Sequence, residues 1–98
     1  MRDTQQGKPR FDLLLPERLP YDQQMLTRFA RHMAAGASRY ADRNWEEFSD
    51  QAALDRAKSS AHRHFVQWIT GETDEDHAAA IWFNVMAAEY IKWRMETE

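Results

Sequence analysis

The sequence predicts an all-α fold, a small bundle of three main helices with an ordered N-terminal arm. Three observations carry that expectation. Apolar residues recur at spacings of three and four over three separate segments, the period of a helix that buries one face. Gly36 and Gly71 stand where the first two segments run out, and Ser49, Asp50, Thr73 and Asp74 stand where the last two begin, which is the chemistry of helix stops and caps. No stretch carries a strand signal, and no internal repeat is present.

The 98 residues are expected to form one domain, 1–98. Pro9, Pro16 and Pro20 all fall in residues 1–20. Proline fixes its own φ and biases the preceding residue toward extended backbone, so this stretch reads as an extended arm. Phe11, Leu13, Leu14 and Leu15 would anchor it, since a disordered tail rarely carries such an apolar cluster. The first helix is expected over 21–36, with Met25, Leu26, Phe29, Ala30 and Met33 as its apolar face. Residues 37–50 break the periodicity and read as a loop with at most one short helical turn. The second helix is expected over 50–70 and the third over 73–97, with nothing after Gly71 to interrupt it.

Bulk properties exclude several classes of function. A composition of 43% apolar and 30% charged residues is that of a globular chain, not a disordered one. A net charge of −3 provides no electrostatic footprint for nucleic acid. The absence of cysteine removes zinc fingers, disulfide scaffolds and thiol catalysis. Met1, Arg2 and Asp3 lead into polar residues, unlike a secretory leader. The longest apolar run, residues 78–83, is far short of the ~20 residues that span a bilayer. A soluble cytoplasmic protein with neither nucleic-acid nor membrane partners is the expectation. With so small a core, a homo-oligomer, dimer or tetramer, is expected to complete the fold. The four tryptophans would then fill a subunit interface or stack on a ligand.

The polar residues fall in telling places. The seam of the third helix is His77, Ile81, Asn84, Ala88, Ile91 and Met95; that of the second is Leu54, Ala57, Ala61, His64 and Trp68. A buried polar group costs roughly 1–3 kcal/mol unless satisfied, so His64, His77 and Asn84 need partners. Glu72, Asp74, Glu75 and Asp76 lie on the turn between the two helices. Acids in a first helical turn are favoured by the macrodipole, and Thr73 with Asp76 resembles a weak capping box. Capping accounts for only some of the four, and like charges this close repel unless a cation sits among them. Imidazoles and carboxylates meeting between helices are the material of a divalent-metal site. The competing reading is that the buried polar residues only fix helix register. His62, two residues from His64, points away from it and is expected in solvent.

Four further groups of residues are candidates. In the loop, Arg43 and Asn44 are available to a ligand, while Trp45 either stacks on a base or joins the core. Glu46 and Glu47 form an exposed acidic pair or complete a metal shell from across the bundle. Lys8 and Arg10 meet phosphates or are ordinary surface charge. Arg63 is a further cation beside His64.

The blocks GKPRFDLLLP, RYADRNWEE, RHFVQW and GETDEDHAAAIWFN, over 7–90, resemble the small bacteriophage dATP/dGTP diphosphohydrolases, relatives of the MazG-like all-α pyrophosphohydrolases. The most specific pieces are RNWE at 43–46, Arg63 with His64, Gly71 with Glu72, and the pair His77 and Asn84. The resemblance implies hydrolysis of a purine deoxynucleoside triphosphate to the monophosphate and pyrophosphate, with Mg2+ or Mn2+, in the cytoplasm of a host cell. It implies Glu46, His64, Glu72 and His77 as catalytic residues, and Glu46, Glu72, Asp74, Asp76 and His77 as metal donors. Lys8, Arg10, Arg43, Asn44, Trp45, Arg63 and Asn84 would bind substrate. The MazG-like motif EExxE is matched by Glu46 and Glu47 but ends in Asp50, and its ExxD partner is replaced by ETDEDH. Two other functions compete: a non-catalytic helical interaction protein, indifferent to EDTA, and an HD-type triphosphohydrolase, against which the order Asp76-His77 counts.

Overall fold

The computed structural model describes residues 7–98, which are helical with no strand among them. Three α-helices, α1 (Met25–Arg39), α2 (Gln51–Ile69) and α3 (His77–Thr97), are joined by segments carrying 3-10 turns at Phe11–Leu14, Tyr21–Gln23 and Asn44–Glu47. The expected all-α class of three main helices is the observed one. Residues 1–6, expected to begin the arm and to lack a leader's apolar run, lie outside the described residues.

The α2 and α3 helices form an antiparallel hairpin that contains the core. Ala53, Leu54 and Ala57 of α2 are buried together with Ala88 and Ile91 of α3, while Ala79 and Ala80 are buried nearest the connecting turn. Alanine dominates this contact, so the two backbones approach closely and no large side chain is completely buried. The α1 helix packs on another side of α3, through Phe29 against Trp82 (ring centroids 5.8 Å) and His32 against Phe83 (5.6 Å). Because α1 and α2 both lean on α3 and barely touch each other, a groove floored by α3 separates them.

Local chemistry moves several expected boundaries. Tyr21–Gln23 form a 3-10 turn, and α1 starts only at Met25, after Gln24 in extended conformation. Gly36 does not stop α1, which continues to Arg39. The flanking alanines sustain the helix, and the ~1 kcal/mol that Gly costs in a helix interior is too little to end it. The α3 helix begins at His77 because Asp76 supplies the N-cap, its carboxylate accepting the Ala79 amide at 3.1 Å. The expected capping box on Thr73 is therefore replaced by a one-residue cap. In the arm, Phe11, Leu13 and Leu14 form a 3-10 turn and stay 55–74% exposed, since no apolar surface of the same chain receives them. Leu26 faces solvent, and Trp68, the last expected seam residue of α2, is half exposed against Phe65.

A radius of gyration of 16.0 Å exceeds the ~13 Å of a compact chain of this length. The α3 helix accounts for part of this openness. Its alanine face is buried, yet Trp82, Val85 and Trp93 on its other faces are 42–56% exposed. A helix that is apolar all round belongs in an interior. Among the described residues, no helix is long and apolar enough to cross a membrane.

Candidate functional site

The connection between α2 and α3 is shaped by how α2 ends. The Glu72 amide donates to the Gln67 carbonyl (3.0 Å) and the Gly71 amide to the Trp68 carbonyl (3.2 Å), while Gly71 takes φ 85°. This paired closure needs a left-handed residue, a conformation in which any Cβ crowds the following carbonyl. Glu72, Thr73, Asp74 and Glu75 then lead directly to the Asp76 cap, so the acids gather at the mouth of the hairpin.

The hairpin register brings His64 onto His77. Their Nδ1 atoms are 2.9 Å apart, and only 9% and 2% of the two residues is exposed. His77 Nε2 lies 2.8 Å from Asp74 Oδ1, and His64 Nδ1 lies 3.6 Å from Glu75 Oε1. The partners that the buried histidines require are thus each other and two of the acids. Burial pushes the His64 pKa below 6.5, although Glu75 pulls the other way. The hydrogen bond from His77 holds Asp74 below the usual carboxylate range. An ionised Asp74 accepts, so His77 carries its proton on Nε2 and turns the Nδ1 lone pair toward His64.

Asp76 is the cap of α3 and the partner of an arginine from α1. Arg28 of α1 grips it with two bonds, Nε to Oδ2 at 2.9 Å and Nη2 to Oδ1 at 2.7 Å, and Oδ1 also accepts the Ala79 amide. Both oxygens accept hydrogen bonds, and Asp76 belongs to neither of the clusters of donor atoms found at the turn. Arg28 also holds Asp76 below the usual carboxylate range. It is a cation beside the acidic turn that reading α2 and α3 alone could not find. Two groups of donors remain whose ligating atoms lie within 4.8 Å of one another: His64, Glu75 and His77, and Glu72, Asp74 and His77. Their chemistry, carboxylate oxygens with imidazole nitrogens, fits a divalent cation.

The groove between α1 and α2 opens into a cleft of about 1140 Å³. At one end it is lined by Trp45, Arg43, Asn44 and Ile91, and it reaches Glu75 beside the histidine pair. From Ile91 to His77 the floor helix rises roughly 20 Å. Trp45 packs edge-on against Phe83 (6.4 Å) and Tyr90 (5.2 Å), the core role, and also lines the cleft. Arg43 adopts φ 60°, left-handed backbone that costs a non-glycine residue about 1–2 kcal/mol, and its guanidinium binds Glu46 at 2.9 Å. Asn84 is buried on the cleft floor and donates to the Ala80 carbonyl at 2.9 Å, so it does not orient His77.

Other expected site residues lie elsewhere. Glu46 sits near the far end of α3, where Arg94 binds its carbonyl at 2.9 Å, roughly 25 Å along the helix from His77. Within one chain it does not join the acidic turn. Arg10 pairs with Asp12 on the exposed arm, Lys8 is exposed, and Arg63 points to Ser60 at 3.4 Å; none of them lines the cleft. Residues not singled out from sequence do line it: His32 and Arg39 of α1 and Arg56 of α2. His32 follows Arg28 and precedes Gly36 at intervals of four, a polar stripe beside the apolar face of α1 that was a legible signal.

A family model described as dATP/dGTP diphosphohydrolase, N-terminal, matches residues 1–98. No curated protein and no solved structure gives a significant match.

Proposed function

The chain belongs to the family described as dATP/dGTP diphosphohydrolase, N-terminal, and from that premise we propose that it hydrolyses purine deoxynucleoside triphosphates to the monophosphate and pyrophosphate. The observation that carries the reading is the cleft, which runs from an aromatic and cationic end to Glu75, the one residue it shares with a smaller pocket lined by Glu72 and His77. A base resting on Trp45 would leave the triphosphate directed along the floor of α3 toward Glu75. Arg43, Arg39 and Arg56 supply positive charge along the way, the Arg43 guanidinium being paired with Glu46 at 2.9 Å. Asn84 closes the floor between the two ends.

Mg2+ or Mn2+ fits the exposed carboxylates Glu72 and Asp74, since such ions take one or two carboxylates together with substrate phosphates. When bound, the ion would neutralise phosphate charge and acidify a water molecule. Glu72, a carboxylate with room to move, takes the proton from the attacking water. His77 holds Asp74 ionised and in place. Lys8, Arg10 and Arg63 lie outside this arrangement in a single chain, and Glu46 enters it only as the partner of Arg43. The exposed faces of α3 support a homo-oligomer in the working protein: the surface of 7815 Å² compares with about 5,800 Å² for a compact monomer of this mass.

The test is product analysis after incubation with each deoxynucleoside triphosphate, with Mn2+, with Mg2+ and with EDTA. Metal-dependent release of pyrophosphate with dGMP or dAMP is expected. Tripolyphosphate as product, or no turnover of any nucleotide, refutes the reading. Glu72→Gln should abolish turnover while the far-UV spectrum is kept, and Trp45→Ala should raise KM more than it lowers kcat.

A further inference from the structure

We propose that the His64–His77 pair and Glu75 form a binding site for a borderline transition ion of the Co2+ to Zn2+ series, adjoining the exposed carboxylates Glu72 and Asp74 that serve Mg2+ or Mn2+. Three features of the geometry support it. The Asp74 carboxylate on His77 Nε2, at 2.8 Å, is the outer partner that metal-bound histidines recurrently have, and it leaves Nδ1 as the free lone pair. That lone pair meets a second ring nitrogen, His64 Nδ1, at 2.9 Å in a buried setting. Two nitrogens each bound to one ion at about 2.1 Å lie about 3.0 Å apart at a right angle and about 3.4 Å apart at a tetrahedral one, so the pair would close on an ion after a shift of at most a few tenths of an ångström. Glu75 Oε1, 3.6 Å from His64 Nδ1, adds a negative third donor, and Glu75 is exposed enough to provide an entry path.

The donor set decides the class of ion. Two imidazoles and one carboxylate favour borderline ions over Mg2+, which prefers oxygen donors and dehydrates reluctantly. A single proton shared by the two rings, with Glu75 beside it at 3.6 Å, would satisfy the same nitrogens and is the competing occupant that the experiment must separate. Binding here needs no nucleotide, so it stands or falls independently of the hydrolysis proposed above.

The experiment uses the full chain, stripped with EDTA and dialysed. Co2+ titration should saturate at one equivalent per chain, with visible absorption bands of a nitrogen-ligated ion. Equimolar Zn2+ should displace it, and a thousandfold excess of Mg2+ should not. Asp74→Asn should weaken Co2+ binding by about 10–100-fold, the usual effect of losing an outer carboxylate. Glu75→Gln, at an exposed position, should weaken it at least tenfold with an unchanged far-UV spectrum. His64→Gln should abolish it; should that variant not fold, the two acid variants decide. Absence of Co2+ binding, displacement by Mg2+, or binding unaffected by Glu75→Gln and Asp74→Asn overturns the proposal and leaves a proton between the rings.

Discussion

Asp76 carries two loads at once, and they can be separated by substitution. Its carboxylate caps α3 through the Ala79 amide at 3.1 Å and receives both arms of Arg28 at 2.9 and 2.7 Å. The two side chains of the ion pair are 33% and 35% exposed, so solvent screens the pair and about 1 kcal/mol is its appropriate size. Loss of an N-cap oxygen costs another ~1 kcal/mol. Asp76→Asn keeps an excellent cap and removes the charge; Asp76→Ala removes both. At one protein concentration, urea unfolding followed by circular dichroism should therefore rank wild type above Asp76→Asn by about 1 kcal/mol, and Asp76→Asn above Asp76→Ala by about 1 kcal/mol. In thermal terms each step is about 4–8 °C for a domain of this size. A cycle with Arg28→Met should return a coupling near 1 kcal/mol. Because Arg28 depresses the Asp76 pKa, the pair stabilises fully above the ordinary carboxylate range and fades as pH falls through the depressed value. The gap between wild type and Asp76→Asn should close accordingly under acid. Equal losses for Asn and Ala, or a coupling below about 0.3 kcal/mol, refute the division of roles.

Three other outcomes are expected. Gly36 lies inside α1 with nothing within 4 Å of where a Cβ would be, so Gly36→Ala should raise stability by about 0.5–1 kcal/mol in the same melts. Gly71, at φ 85°, should respond oppositely, with Gly71→Ala costing about 1–2 kcal/mol and lowering the melting temperature. His64 has a folded pKa below its unfolded value, so the native state resists protonation there; metal-free protein should lose stability as pH falls below 6.5, and His64→Gln should flatten that slope.

The expected class of fold was legible because helical periodicity needs only the order of residues along the chain. The same periodicity singled out His64 and His77, whose burial and mutual contact follow from being polar members of facing seams. Proximity between segments was not legible. Glu46 and the acidic turn are both rich in carboxylates, yet the path of residues 40–50 delivers Glu46 to the opposite end of α3, and no local signal records that path. Asp76 looked like one acid among four; only the partner from α1 shows that its oxygens are already taken. The apolar anchors of the arm illustrate the same limit, since burial depends on a receiving surface that one chain does not offer.

The alanine-lined seam between α2 and α3 bears on how this sequence can vary. Ordinary cores fail when a large side chain is trimmed and a void opens, but Ala53, Ala57 and Ala88, at 5%, 8% and 7% exposure, have almost nothing to trim. Their vulnerability runs the other way: a single added methyl or hydroxyl wedges the backbones apart, typically at about 1–3 kcal/mol. Because the two histidines sit on that same closely packed seam, such a wedge would also pull their rings apart. Substitutions that merely thicken these three positions therefore threaten the chemistry of the hairpin before they threaten its helices.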